Sequence, residues 1–314
     1  MSDVEVVTSR EVPLGGARAM TVRRTLPQRI RSMVGAWCFV DHFGPDDLAR
    51  TGGMDVPPHP HTGLQTVSWL FDGEIEHRDS SGVQALVRPG ELNLLTGGYG
   101  VAHSEVSTAT APALHGVQLW VALPDHARHV PRGFVHHVPS PVRPATATVR
   151  VLVGALAGDS SPVATHTPLL GAEVVLHPRA ELILDVQPEF EHGVLVDTGP
   201  VLLDGVQLAR AELGYLPPGA NRLRLANPGD RPARVMLLGG PPFTEPVLMW
   251  WNFVGRSHDE IAAFRDEWES GSERFGRVEG YRGPVQRLPA PPLPSVRLKP
   301  RLTPPGAGDR SAWG

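Results

Sequence analysis

The stretch Pro57-Pro58-His59-Pro60-His61-Thr62-Gly63, answered by Gly97-Gly98-Tyr99-Gly100-Val101-Ala102-His103-Ser104-Glu105, decides how this chain reads. In a β-strand, side chains two positions apart share a face. His59 and His61 therefore form one same-face pair, and His103 and Glu105 form another. Two such pairs can converge inside a small β-barrel. Three neutral imidazole nitrogens and one carboxylate oxygen suit a divalent first-row metal, and a six-coordinate ion held this way keeps two positions open to a small ligand. Pro58 and Pro60 donate no ladder hydrogen bonds, so the first strand is expected at a sheet edge or rim.

Outward from these motifs, turn signals recur every 8–10 residues. Asp72-Gly73 is a strong hairpin signal, followed by Ser80-Ser81-Gly82 and Arg88-Pro89-Gly90. Between them lie strand candidates Leu64–Phe71, Glu74–Arg78, Val83–Val87 and Glu91–Leu95, with His115–Leu123 after the second motif. Short strands at this spacing indicate a sandwich or barrel. Upstream, Val4–Thr8, Met20–Arg24 and Trp37–Asp41 read as strands, and Asp41-His42-Phe43-Gly44-Pro45 breaks the pattern. His42 reads as structural and His115 as a wall residue. His126, His129, His136 and His137 read as surface-loop residues.

The proline-rich residues 139–170 are expected to carry the chain from one barrel to another. A second run of strands, from Glu173–His177 to Arg234–Leu238, weakly echoes the first but has no H-x-H or H-x-E, so no second metal box is expected there. Ser257-His258-Asp259-Glu260 is a capping box, and Ile261, Phe264 and Trp268 make one apolar stripe of a helix. The expected division is therefore 1–138 for a metal-binding barrel and 139–284 for a barrel without metal, including helix 257–269. Residues 285–314 form a Pro-rich tail, extended or disordered, with Gly306–Gly314 disordered.

Composition sets outer bounds. A chain of 314 residues suits two barrels, and 34 glycines with 33 prolines favour turns over long helices. The net charge of −4, with no basic domain, gives nucleic-acid binding no support. The arginine-rich stretch Arg18 to Arg31 reads as a solvated strand-and-loop region. Cys38 is the sole cysteine, which excludes an intramolecular disulfide. Its apolar neighbours, Ala36-Trp37-Cys38-Phe39-Val40, point to a buried, inert thiol. The acidic start lacks the apolar core of a secretory signal, and no run approaches about 18 apolar residues. A cytoplasmic monomer away from membranes is the expectation.

The run His59-Pro60-His61-Thr62-Gly63-Leu64-Gln65-Thr66-Val67, then His77-Arg78-Asp79-Ser80 and Gly100-Val101-Ala102-His103-Ser104-Glu105, resembles the signature of the pirin family. The likeness extends to Asp41-His42-Phe43-Gly44-Pro45, His115-Gly116-Val117-Gln118-Leu119-Trp120-Val121, Glu245-Pro246-Val247-Leu248-Met249 and Phe275-Gly276. It implies an all-β chain of two packed cupin barrels with a short C-terminal helix. It also implies one metal in the first barrel, iron first and Mn, Ni, Cu or Zn as alternatives, held by His59, His61, His103 and Glu105. Some pirins are quercetin 2,3-dioxygenases, which open a flavonol ring with O₂; others are regulators. The resemblance thus implies a flavonol or other enediol-like substrate with O₂, or alternatively a redox-responsive binding protein with a protein partner. Glu105, the only carboxylate of the set, is the expected general base. This chain departs from related patterns at Gln65, where the wider cupin superfamily often has Glu, and at Tyr99, where many members are basic.

Overall fold

The longest apolar runs of the first half lie side by side. Strands Leu64–Asp72, Ala113–Ala122 and Trp37–Asp47 are neighbours in a seven-stranded antiparallel sheet, and most of their residues are buried. Burial on both faces explains why they lack polar alternation. One face fills the first barrel, and the core continues through the other into the second, from Trp69 and Leu119 to Leu195 and Met236. The computed structural model describes residues 4–14 and 20–300. The disorder expected over Gly306–Gly314 concerns residues outside these.

The opposing sheet of the first barrel has the order Asp55–His61, Val101–Ser107, Ile75–Asp79, Gln84–Val87. The two motif strands are therefore direct neighbours, and the proline-bearing one is at the edge, as its missing donors require. The second barrel repeats the plan. A six-stranded sheet faces a four-stranded one in which Glu181–Asp185 and Arg222–Ala226 alternate exposed and buried residues.

The barrels meet at close quarters. The Trp37 indole, fully buried, donates Nε1–H to the Leu170 carbonyl of the second barrel at 3.0 Å. Gly35 has φ +52°, and a Cβ there would lie 2.7 Å from the Gly240 Cα. A side chain at residue 35 would both strain its own backbone and push the barrels apart. The Gly35 N–H donates to Glu191 Oε2 at 2.7 Å, which ties the same turn to the second barrel.

Two segments sit on the barrel remote from them in sequence. Strand Glu5–Val7 pairs with Leu213–Leu216 in the second barrel. Conversely, the helix His258–Glu269 buries Ile261, Phe264 and Trp268 in a cluster with Ala102 of the first barrel, Phe253 and Phe275. Arg128, on the first barrel, also holds Glu260 of this helix at 2.5 Å. The apolar stripe of helix 257–269 thus finds its cover on the first barrel. The chain after Gly283 is likewise held: the Leu288 N–H donates to the Pro58 carbonyl at 2.8 Å.

Three local expectations change. Asp72-Gly73 does not make a hairpin; it carries the chain from the seven-stranded sheet to the four-stranded one. Asp41–Pro45 does not end its strand, which runs on to Asp47. Within the stretch Arg18 to Arg31, whose Arg18 lies outside the described residues, the charges of two arginines turn inward. Arg24 makes two 2.7 Å hydrogen bonds to Asp41, and Arg31, 3% exposed, pairs with Glu5 at 3.0 Å. Among the described residues, no helix is long and apolar enough to cross a membrane.

Candidate metal centre

The antiparallel register sets His103 directly opposite His59, and Val101 opposite His61. The register then slips, so that Glu105 faces Val56 and an extra residue of the edge strand is taken up between them. Such a bulge re-aims side chains beside it. Ring centroids of His59, His61 and His103 lie 4.4–5.0 Å apart, and one nitrogen from each falls within 4.8 Å of the others. The structure thus brings three of the four expected residues together. Glu105 lines the same cavity, but its oxygens do not fall within that cluster.

Hydrogen bonds decide which nitrogens face inward. His59 Nδ1 lies 2.9 Å from the Pro57 carbonyl, and His61 Nδ1 lies 3.1 Å from the Asn252 carbonyl. A carbonyl only accepts, so both Nδ1 atoms carry the proton. Both Nε2 atoms then present lone pairs. Burial pushes all three imidazoles towards the neutral form, His59 to a pKa of about 4 and the other two well below the usual value. Three neutral imidazoles, two of them with inward lone pairs fixed by backbone, fit a first-row divalent cation. In this way the donor chemistry agrees with the group that the motif implies.

Glu105 has a distinct setting. Burial raises its carboxyl pKa, and Ser68 Oγ partly offsets this at 3.2 Å from Oε1. Ser68 Oγ also lies 2.9 Å from Gln118 Oε1. One hydroxyl proton cannot serve both acceptors. The network closes when the Gln118 amide turns its nitrogen to Ser68 and Ser68 donates to Glu105. The cavity, about 360 Å³, is walled by Phe39, Trp120, Trp251 and Leu288, with Arg24 also at its wall. The Arg24 guanidinium lies 4.3 Å over the Phe39 ring, whose other neighbour is Trp120, stacked at 4.1 Å. Tyr99 does not line this cavity; it is exposed, and Arg274 lies 3.8 Å over its ring. Gln65 is buried and donates to Thr96 Oγ1 at 2.9 Å.

A second cluster joins the barrels. His42 Nε2 and His115 Nε2 lie 2.7 and 2.6 Å from Oδ1 of Asp197, which belongs to the second barrel. Its atoms could surround a cation, but its hydrogen bonds run the other way. Arg23 Nε–H donates to His42 Nδ1 at 3.2 Å, so Nε2 carries the proton and donates to Asp197. Arg234 completes the group with a 3.1 Å bond to Asp197 Oδ2. Burial alone would raise the Asp197 carboxyl, but hydrogen bonds from His115 and His42 outweigh it and hold it well below the usual range. This cluster is closed by its own hydrogen bonds. His136 and His137, expected in a loop, lie in strand Gly133–His137, where His136 Nδ1 lies 2.8 Å from Asn93 Oδ1.

Sequence reasoning left several contributors out: Ser68, Gln118, the carbonyls of Pro57 and Asn252, and the pair His77 and Asp79. The last pair carried a signal, since H-x-D has the same i, i+2 spacing as the two motifs. The Pro57 carbonyl is local to His59, and the others reach the site only through tertiary contact.

Comparison with known proteins gives a consistent picture. A model described as pirin matches residues 19–121, and one described as the pirin C-terminal cupin domain matches residues 171–276. The chain is 46% identical over 290 residues to a Pseudomonas aeruginosa protein described as a "putative quercetin 2,3-dioxygenase", covering 92% of this chain and 90% of that protein. It is 35% identical to a pirin-like protein of Caulobacter vibrioides, covering 80% of this chain and 88% of the other. Among solved structures it resembles a quercetin 2,3-dioxygenase from Acinetobacter baumannii, with a TM-score of 0.88 and 37% identity, covering 94% of this chain and 97% of that one.

Proposed function

Because the chain belongs to the pirin family, with the family's two cupin barrels, we propose that it is a metal-dependent dioxygenase that opens the ring of a flavonol such as quercetin with O₂. His59, His61, His103 and Glu105 would hold one divalent ion, iron in the first place. The observation that carries this reading is the set of three neutral, buried imidazoles converging on one wall of a solvent-connected cavity. The names of the relatives from Pseudomonas and Acinetobacter support the substrate class.

The chain's own groups supply the rest. When bound, a divalent cation there acts as a Lewis acid that eases deprotonation of a substrate hydroxyl. Glu105 is the carboxylate placed in the cavity to take that proton. Ser68 holds Oε1 while the proton moves. A cavity of about 360 Å³ lies near the lower end of ordinary ligand sites, so it suits one small molecule. Phe39, Trp120, Trp251 and Leu288 offer apolar and aromatic walls that suit a flat aromatic substrate and keep water from it.

Metal analysis of the purified protein, followed by oxygen-electrode assays with quercetin and other flavonols, tests the proposal. Oxygen uptake should follow bound metal. Full turnover by the double variant His59→Ala, His61→Ala would overturn it.

A further inference from the structure

His103 is the one imidazole of the three whose Nδ1 does not face a carbonyl. It faces another imidazole: His103 Nδ1 lies 3.3 Å from His77 Nδ1. Between two nitrogens, either can be the donor, so this contact alone leaves the His103 tautomer undecided. The choice has consequences. If His103 carries its proton on Nε2, it donates across the 3.0 Å gap to His61 Nε2 and closes that gap with a hydrogen bond. If the proton is on Nδ1, Nε2 offers a lone pair instead.

The next group along the chain of contacts settles the matter. His77 Nε2 lies 3.2 Å from Asp79 Oδ2. A carboxylate only accepts, so His77 carries a proton on Nε2, and in its neutral form it accepts at Nδ1. His103 becomes the donor in the Nδ1–Nδ1 contact, and its Nε2 is left with a lone pair. Asp79 cannot easily turn away. Its other oxygen, Oδ1, accepts from the Ser81 N–H at 2.7 Å and from the Val83 N–H at 3.3 Å. The His77 ring is also clamped, stacked on Phe134 with centroids 4.8 Å apart. The strand register places these groups in line: Asp79 sits opposite His103, and His77 opposite Glu105. Both are almost fully buried, so water does not compete for the contacts.

We propose that Asp79 and His77 are positioning residues, a carboxylate–imidazole relay that sets the His103 tautomer so that its Nε2 can serve as the third nitrogen donor to a divalent cation. The inference rests on the metal-site reading above. Asp79→Asn should reverse the relay. With its oxygen retained by the Ser81 and Val83 N–H groups, the new amide nitrogen faces His77 Nε2 and donates to it. His77 then carries its proton on Nδ1, and His103 carries its proton on Nε2, where a ligand lone pair is needed.

The test has two arms. Nickel(II) and zinc(II) are titrated into metal-free protein, wild type against Asp79→Asn, His77→Gln and His61→Ala. Loss of an outer partner weakens metal binding about 10–100-fold. That loss is expected for Asp79→Asn and His77→Gln, with a larger one for His61→Ala. Wild type that binds no metal at the His61-dependent site sinks the site reading and this inference together. Wild-type binding lost in His61→Ala but unchanged in Asp79→Asn sinks the relay alone. The second arm needs no variant. Histidine ¹⁵N shifts of wild-type apoprotein should report His103 protonated on Nδ1 and His77 on Nε2; the opposite pair of tautomers overturns the proposal even if the variants fail to fold.

Discussion

His61 Nε2 and His103 Nε2 face one another at 3.0 Å, each from a strand that is the other's direct neighbour. With the His61 proton held at Nδ1 by the Asn252 carbonyl, its lone pair points straight at the second ring. His61→Ala removes one arm of this pair. Metal affinity should fall by more than the roughly 10–100-fold typical of an outer partner, and oxygen uptake with flavonols should fall with it. Metal analysis alongside the oxygen electrode measures both.

Asp197 is fully buried between the barrels with His42, His115 and Arg234 around it. Asp197→Ala leaves the buried His42 and His115 without their carboxylate and takes one of two carboxylates from the half-buried Arg234, which keeps Glu173 at 3.1 Å. It should cost about 3–5 kcal/mol of stability, as removing one partner of a buried pair does. Because the folded carboxyl is held below its unfolded value, its contribution is fully present above about pH 4 and drains as the pH falls further. Urea unfolding of wild type and variant at pH 7 and pH 3 reads the difference, which should shrink at the lower pH.

His192 is fully buried, and among the described residues neither ring nitrogen has a hydrogen-bond partner. Burial lowers its pKa from 6.5 to about 4. The unfolded chain therefore takes up a proton below about pH 6.5 that the folded chain refuses until about pH 4. Stability falls across that window as the pH drops, by up to about 3 kcal/mol from this residue. His192→Leu should make the fall between pH 6.5 and 4 shallower, the rest belonging to the other buried imidazoles, as measured by urea midpoints.

Leu288, from the segment after the second barrel, lines the cavity of the first and hangs from the Pro58 carbonyl through its own N–H. Leu288→Ala keeps that backbone bond and widens the mouth. Metal content should stay at the wild-type level, while KM for a flavonol rises several-fold. An unchanged KM would separate this segment from substrate binding.

Cys38 is fully buried, and desolvation pushes its thiol up to about 12. Thiolate is the reactive form, so the native protein should resist a thiol reagent at pH 8 and react with one equivalent on unfolding. Fast labelling of native protein would contradict the packing around Trp37.

Much of this protein was legible locally. The i, i+2 pairs at residues 59, 61, 103 and 105 place the imidazoles on one face because the pleat repeats every two residues. The stripe of Ile261, Phe264 and Trp268 is buried as its spacing requires. Asp72-Gly73 failed as a hairpin signal because a tight turn specifies a reversal, not which sheet receives the next strand. His77 and Asp79 stood in plain view with the right spacing, yet nothing local shows that they meet His103 rather than water.

The amino-acid sequence by itself determined the all-β character and the three inward imidazoles, since both follow from periodicity over a few residues. Tertiary structure decided the polarity of the hydrogen bonds at His61 and His42, whereas His59 takes its own from the Pro57 carbonyl two residues away. The Asn252 carbonyl reaches His61 across 191 positions of chain, and Asp197 reaches His42 across 155. Which ring nitrogen keeps its proton depends on the partner that packing delivers. That is why one histidine cluster presents lone pairs to a cavity and the other closes on a carboxylate.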